Sequence, residues 1–214
     1  VKSVSFSGTA AIENQFLLGF MNKFSQHFDR EALLDTMPYL SVDGLEIMLY
    51  DQMSAHAKYF EESPVSKHFS SQFQHYLKNL SEYHYNDGIL AYATENDAGK
   101  RGETIKKLPG LMTENFAQLA NKDEALLVAP YRHFVLNYTK YATAEKNDFE
   151  LYESVDITLE RRCFFANENL AGETRAFVIS KLILEQEKSA MPETLKRMIA
   201  VLDKADEKQK YSPT

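Results

Sequence analysis

The sequence predicts an all-α protein, a multi-helix antiparallel bundle or array of about seven to nine helices behind a short extended N-terminal arm. Three observations predict it. Apolar residues recur three and four positions apart along most of the chain, the period of a helix with one buried face. Residues suited to starting helices stand ahead of several of these stripes. Turn chemistry is sparse, with six Pro and eight Gly in 214 residues, whereas an all-β chain of this size needs turn residues every ~8–12 positions.

The elements follow in order. Val1 to Gly8 alternates Val4 and Phe6 with serines and reads as an extended arm ended by Gly8. Thr9 is a suitable N-cap for a first helix reaching Phe28, with Ile12, Phe16, Leu17, Phe20, Met21, Phe24 and Phe28 inward. Asp29 caps a short helix bearing Ala32, Leu33 and Met37 that Pro38 stops. Ser41 or Asp43 opens the next, whose stripe is Leu45, Met48, Leu49, Gln52, Met53, His56, Tyr59 and Phe60. Ser63-Pro64 predicts a new helix start, with Val65, Phe69, Phe73, Tyr76, Leu77, Leu80 and Tyr83 inward as far as Ala93, unless Asp87-Gly88 breaks it.

Glu95 to Gly110 is the clearest loop, with Lys100, Arg101, Lys106 and Lys107 as its basic cluster. Thr113 is placed to cap a short helix with Phe116 and Leu119. The stretch Asn121 to Ala144 is the one the chain is organised around. Pro130 sits in its first turn, Tyr131, Phe134, Val135, Tyr138 and Tyr141 or Ala142 form an aromatic stripe, and Arg132, Asn137 and Lys140 are expected in water. Asp148 to Asn167 predicts a helix with Leu151, Tyr152, Val155, Leu159, Cys163 and Phe164 on one side. Gly172 marks a turn into a helix over Glu173 to Lys188 with Phe177, Val178, Lys181, Leu182 and Leu184. Pro192 begins a last helix with Leu195, Met198, Ile199 and Leu202. The organisation is thus an arm over 1–8, a helical domain over 9–210 and the start of a linker at 211–214.

Composition narrows the function classes. A net charge of -7 disfavours a nucleic-acid partner, because phosphate binding needs a basic surface. Cys163 is the single cysteine, so the chain holds no internal disulfide, no CxxC pair and no cysteine-based zinc cluster. No stretch approaches the ~18 continuous apolar residues of a membrane-spanning helix. The chain is expected to be either a cytoplasmic protein without its first residues or a trimmed piece of an exported one.

No catalytic, cofactor or metal site emerges from the residues. Phe24, Met53, Val65, Gln72, Ser81 and Pro130 stand three positions before His27, His56, His68, His75, His84 and His133. None is acidic, so the Glu-x-x-His pairs of a di-iron bundle are missing and the histidines are read as surface or partly buried structural groups. His68 and His75 lie two turns apart, about 10 Å along a helix, too far for one metal. Cys163 follows Arg161 and Arg162, which would favour a thiolate, but its apolar stripe predicts an inert buried thiol. Gly99 to Thr104 resembles a phosphate loop only faintly, since Gly102 precedes Glu103 where a P-loop requires Lys. Tyr83, His84 and Tyr85 are candidates for a peptide groove, although core packing accounts for most aromatics.

Three stretches together carry a family resemblance: Phe6-Ser7-Gly8 followed by Glu13 to Leu17; Glu124 to Leu127 leading into Pro130 to Phe134 and Tyr138; and Asn167 to Arg175 leading to Ile183-Leu184. In order and spacing they resemble the helical region ahead of the thioredoxin-like domain in envelope thiol-disulfide oxidoreductases of the TlpA/ResA type. In that family the thioredoxin-like domain carries the redox CxxC, so no catalytic residue transfers to this chain. The resemblance implies a non-catalytic accessory module of an exported protein, in the periplasm or cell envelope, with the thioredoxin-like domain of the same parent chain as partner. Such a module positions the redox domain or binds its protein substrates. A stand-alone helical scaffold for peptides or proteins is the alternative.

Overall fold

A computed structural model describes residues 5–95, 105–186 and 191–211. All regular structure in them is helical, as the apolar periodicity predicts. The helices are α1 (Ala11–Phe24), α2 (Arg30–Thr36), α3 (Val42–Glu61), α4 (Ser71–Glu95), the single-turn α5 (Gly110–Thr113) and α6 (Phe116–Leu119), α7 (Ala129–Glu145), α8 (Val155–Asn169), α9 (Gly172–Gln186) and α10 (Pro192–Ala205). Residues 1–4 of the expected arm, the basic residues Lys100 and Arg101, the phosphate-loop-like Gly99 to Thr104 and residues 212–214 lie outside the described residues. Tyr211, expected to begin a linker, packs its ring on Phe177 with centroids 6.2 Å apart.

Local chemistry sets several boundaries. The Asp29 carboxylate accepts the Ala32 N–H at 3.1 Å and the Ser41 hydroxyl accepts that of Gly44 at 3.1 Å, so both expected caps form. Pro130 and Pro192 occupy the first turns of α7 and α10, where a missing N–H costs nothing. Other starts differ. Thr9 makes no cap for α1, whose N-cap is Ala10, and the chain tightens to a 3-10 turn at Ser25–Phe28. Ser63-Pro64 leads only to a 3-10 turn at Ser66–His68, and α4 starts at Ser71. Thr113 closes α5 instead of capping α6.

Asp87-Gly88 does not break α4, which runs through it for 25 residues. A Cβ on Gly88 would stand 2.6 Å from Leu49 Cδ1 on α3, so the glycine permits the close approach of the two helices. Asp87 is buried, paired with Arg30 of α2 and bonded to Asn137 of α7 at 3.1 Å. A turn signal in sequence is here a packing and charge feature in space.

α4 and α7 form the spine. Tyr83 lies against Tyr131 with ring centroids 4.6 Å apart, Asp87 meets Asn137, and Lys140 donates to the Thr94 carbonyl at 2.9 Å. These contacts advance together along both helices, so α4 and α7 run in the same direction, while α3 runs antiparallel to α4. Tyr131, Phe134 and Val135 are fully buried and Tyr141 nearly so, as the aromatic stripe predicts. Asn137 and Lys140, expected in water, are instead buried and half-buried, because α4 covers the face they occupy.

In α8 the helix starts at Val155, not near Asp148. Asp148 and Phe149 take φ of 52° and 62°, and Phe149 N–H returns to the Ala144 carbonyl at 2.8 Å to close α7. The inward set of α8 is Leu159, Cys163, Phe165 and Ala166; Leu151, Val155 and Phe164 are exposed. α9 is enclosed between α7, α8 and α10, with Ala176, Phe177, Val178, Ile179 and Leu182 buried and Lys181 and Leu184 outside. Gly172, at φ +54°, lets the Asp123 carboxylate sit on the start of α9 and accept the N–H groups of Glu173 (2.9 Å) and Thr174 (2.8 Å). Burial opposes ionisation of Asp123, but these donors hold its carboxyl below the ordinary range.

Candidate functional site

A groove of about 1100 Å³ lies between α3, α4 and the α5–α6 segment. Its two long walls are α3 and α4, which are held together by the Leu49–Gly88 contact and by the Gln52–His84 and His56–Ser81 hydrogen bonds. The third wall is pinned by Tyr83, whose hydroxyl donates to the Leu119 carbonyl at 2.8 Å, and by Phe116, whose buried ring meets Phe134 edge-on at 5.5 Å. Met53, Ala57, Phe60, Leu77, Leu111 and Met112 give the groove its apolar lining. Leu111 is 84% exposed, a large aliphatic side chain held out into water at the groove's edge. Of the sequence candidates Tyr83, His84 and Tyr85, only Tyr85 lines the groove, while Tyr83 and His84 are buried beneath it.

A histidine cluster borders this groove. His27 of the 3-10 turn after α1, His56 of α3 and His84 of α4 come from three separate segments. His27 Nδ1 and His56 Nε2 share a hydrogen bond of 3.0 Å, His56 Nδ1 meets Ser81 Oγ at 3.1 Å, and His84 Nε2 meets Gln52 Oε1 at 2.7 Å. Phe28 lies against both inner rings, stacked on His56 and tilted to His84, with centroids 5.0 Å away in each case. His56 and His84 are only 2% and 6% exposed. Burial, reinforced by the neighbouring imidazoles His27 and His84, pushes His56 down to about 3. Burial and His27 push His84 down to about 4, and burial also lowers His27. The expectation of surface or partly buried histidines therefore holds for His27, His68, His75 and His133, but not for His56 and His84.

Ser81, His56 and His27 form a hydrogen-bonded chain, the order found in nucleophilic hydrolases. Its electrostatics and position oppose that chemistry. An imidazole lowered to about 3 is a weak proton acceptor at neutral pH. Ser81 lies in the middle of α4, where neighbouring N–H groups are committed to the helix and none is left to stabilise an oxyanion. The chain of bonds instead satisfies three polar groups at a buried helix crossing. No group of three or more His, Cys, Asp or Glu side chains among the described residues is arranged to hold a metal ion.

A second polar cluster lies inside the spine. Arg30 pairs with Asp87 and, at 2.6 Å, with Glu95. Burial raises the Asp87 pKa and the Arg30 guanidinium pulls against it. Lys140, lowered to about 8 by burial and by Arg162, donates to Thr94. These groups bind α2, α4 and α7 together. Cys163 is 1% exposed, and burial, with Glu160 nearby, pushes its thiol up to about 12, so it is the inert thiol the sequence predicts.

Neither the histidine convergence nor the Arg30–Asp87 pair has a sequence signal, since the partners are 29 and 57 residues apart. Of the groove's apolar residues, Met53, Phe60 and Leu77 were legible only as members of helix stripes, and Ala57, Leu111 and Met112 carried no signal. No helix among the described residues is long and apolar enough to cross a membrane. Comparison of the chain with family models, curated proteins and solved structures finds no match.

Proposed function

We propose that this chain is a non-catalytic, protein-binding helical module that holds a polypeptide segment in the groove between α3, α4 and α5–α6. In this reading it serves as accessory to an envelope thioredoxin-like thiol-disulfide oxidoreductase, presenting protein substrates to a redox domain of the same parent chain. The groove carries the reading. It is long, mostly apolar and open to water, and its rim displays Leu111. The helical-region resemblance supplies the redox context, and a CxxC-bearing domain in the same reading frame is what that context requires.

The test uses reduced, carboxymethylated α-lactalbumin as an unfolded probe, titrated calorimetrically into the folded protein. Leu111→Glu places a charge on the groove rim. Leu151→Glu places one on an exposed leucine outside the groove, 72% exposed in the folded protein. The reading expects Leu111→Glu to weaken binding at least tenfold and Leu151→Glu to leave it within twofold. Equal effects of the two substitutions, or no binding by the wild type, would refute it.

A further inference from the structure

Another concavity, of about 570 Å³, lies where the 3-10 turn at Asp123–Leu127 and the start of α7 meet α9. Leu127 and Leu184 line it and are 68% and 61% exposed. Its two carboxylates are already engaged. Asp123 accepts the Glu173 and Thr174 N–H groups, and Glu173 pairs with Lys210 at 3.1 Å and with Lys208 at 3.8 Å. Two of its cations have no carboxylate. Arg132 is half-buried, held by an N–H donated to the Leu126 carbonyl at 2.7 Å, and makes no ion pair among the described residues. Lys181 is exposed, 6.0 Å from the Phe177 ring centroid, and likewise makes none.

The opposite chemistry stands on the outer face of α3. Ile47 and Tyr50 are 62% and 58% exposed, and Asp51 is exposed beside them. Their spacing of three and four places them on one stripe. None of the three lines the groove between α3 and α4. The stripe is acidic, because α3 carries Asp43, Glu46 and Asp51 and no Lys or Arg before Lys58. α3 packs chiefly against α4, and α9 against α7, α8, α10 and the Asp123–Leu127 turn, so the two surfaces belong to different parts of the fold.

We infer that this chain self-associates head to tail, with the α3 stripe of one copy seated on the Arg132–Lys181 pocket of the next. Ile47 and Tyr50 cover Leu127 and Leu184, which removes large apolar side chains from water on both sides. Asp51 brings the carboxylate that Arg132 and Lys181 lack, and the anchored guanidinium offers it a charge-assisted bond. Two copies of net charge -7 repel one another at long range. A contact between them therefore needs a place where the sign reverses, and the pocket is such a place. The two surfaces differ, so each copy in the contact keeps one free pocket or one free stripe. Such a heterologous contact continues into longer assemblies or closes as a ring.

Sedimentation velocity from low micromolar to several hundred micromolar protein tests this. The wild type should grow past a dimer as its concentration rises. Ile47→Asp in the stripe and Leu184→Glu in the pocket alter exposed side chains, so neither threatens the fold. Each should weaken self-association at least tenfold, and Leu151→Glu, on an exposed leucine outside both surfaces, should leave it within twofold. Mixed in equal amounts, Ile47→Asp and Leu184→Glu should form a dimer and nothing larger, because only one intact stripe and one intact pocket can meet. Asp51→Asn should weaken the wild-type association at least threefold. A wild type that stays monomeric throughout, or one that stops at a dimer, would overturn the inference. So would a mixture of the two variants that stays monomeric, or equal effects of Ile47→Asp and Leu151→Glu. An association constant unchanged by Asp51→Asn would overturn the charge pairing.

Discussion

Lowering the pH from 7 to 5 should destabilise the protein through His56 and His84. Both imidazoles are neutral in the fold, with their pKa values pushed to about 3 and about 4. In the unfolded chain each returns to about 6.5 and takes up a proton as the pH falls below that value. The unfolded state then binds more protons than the native one, so stability is complete above about pH 6.5 and declines toward about pH 4. Each fully effective group loses roughly 1.4 kcal/mol per pH unit, which amounts to about 2 kcal/mol per histidine at pH 5. Two such groups remove about 4 kcal/mol, a large share of the ~5–15 kcal/mol typical of a domain. Asp87 works in the opposite direction, because its raised pKa makes the native state the better proton acceptor as the pH falls. Urea denaturation of wild type and His56→Gln at pH 7.5, 6.0 and 5.0 separates the two effects. Removing the hydrogen bonds of His56 should cost stability at pH 7.5, and the deficit should narrow by about 2 kcal/mol by pH 5. A deficit that stays constant across this range would show that His56 is not held neutral by its surroundings.

Further expectations concern the core. Phe134→Ala should cost about 3–5 kcal/mol, because its fully buried ring packs against Tyr83, Phe116 and Tyr138; a denaturation midpoint equal to the wild type's would place this ring outside the core. Lys140→Ala should cost about 1–2 kcal/mol through loss of its bond to the Thr94 carbonyl, against less than about 0.5 kcal/mol for Lys196→Ala on the exposed face of α10. Equal midpoints for these two lysine variants would contradict the buried position of Lys140. Cys163 should react with a thiol reagent slowly in buffer and rapidly in denaturant; fast stoichiometric labelling of the folded protein would refute its burial.

Part of what depends on a few neighbouring residues was legible in the sequence, although the equally local signals at Thr9, Ser63-Pro64 and Thr113 did not start the helices expected of them. Asp29 and Ser41 cap because an oxygen two or three positions ahead of a free N–H needs no tertiary help, and Pro130 and Pro192 start helices for an equally local reason. The α7 stripe was legible because Tyr131, Phe134 and Val135 repeat the helical period without interruption. Polar residues were misjudged where another helix covers them. Asn137 and Lys140 look solvated until α4 is laid alongside, and Asp87-Gly88 looks like a break until Arg30 and Leu49 arrive from elsewhere. In α8 the consecutive aromatics Phe164 and Phe165 leave the inward direction ambiguous, and the structure turns the second one in. The groove was the least legible part, because an apolar residue on its wall and one in the core obey the same periodicity.

The central claim, a polypeptide seated in this groove, is tested most directly by the methionine methyl resonances of the protein with and without a bound chain. Met53 and Met112 line the groove, Met37 and Met198 are buried, and Met191 is 63% exposed outside the groove. Addition of reduced, carboxymethylated α-lactalbumin to protein labelled with ¹³C at its methionine methyls should shift Met53 and Met112 and leave Met191 in place. A shift confined to Met191, or no shift at Met53 and Met112 at saturating probe, would contradict the account.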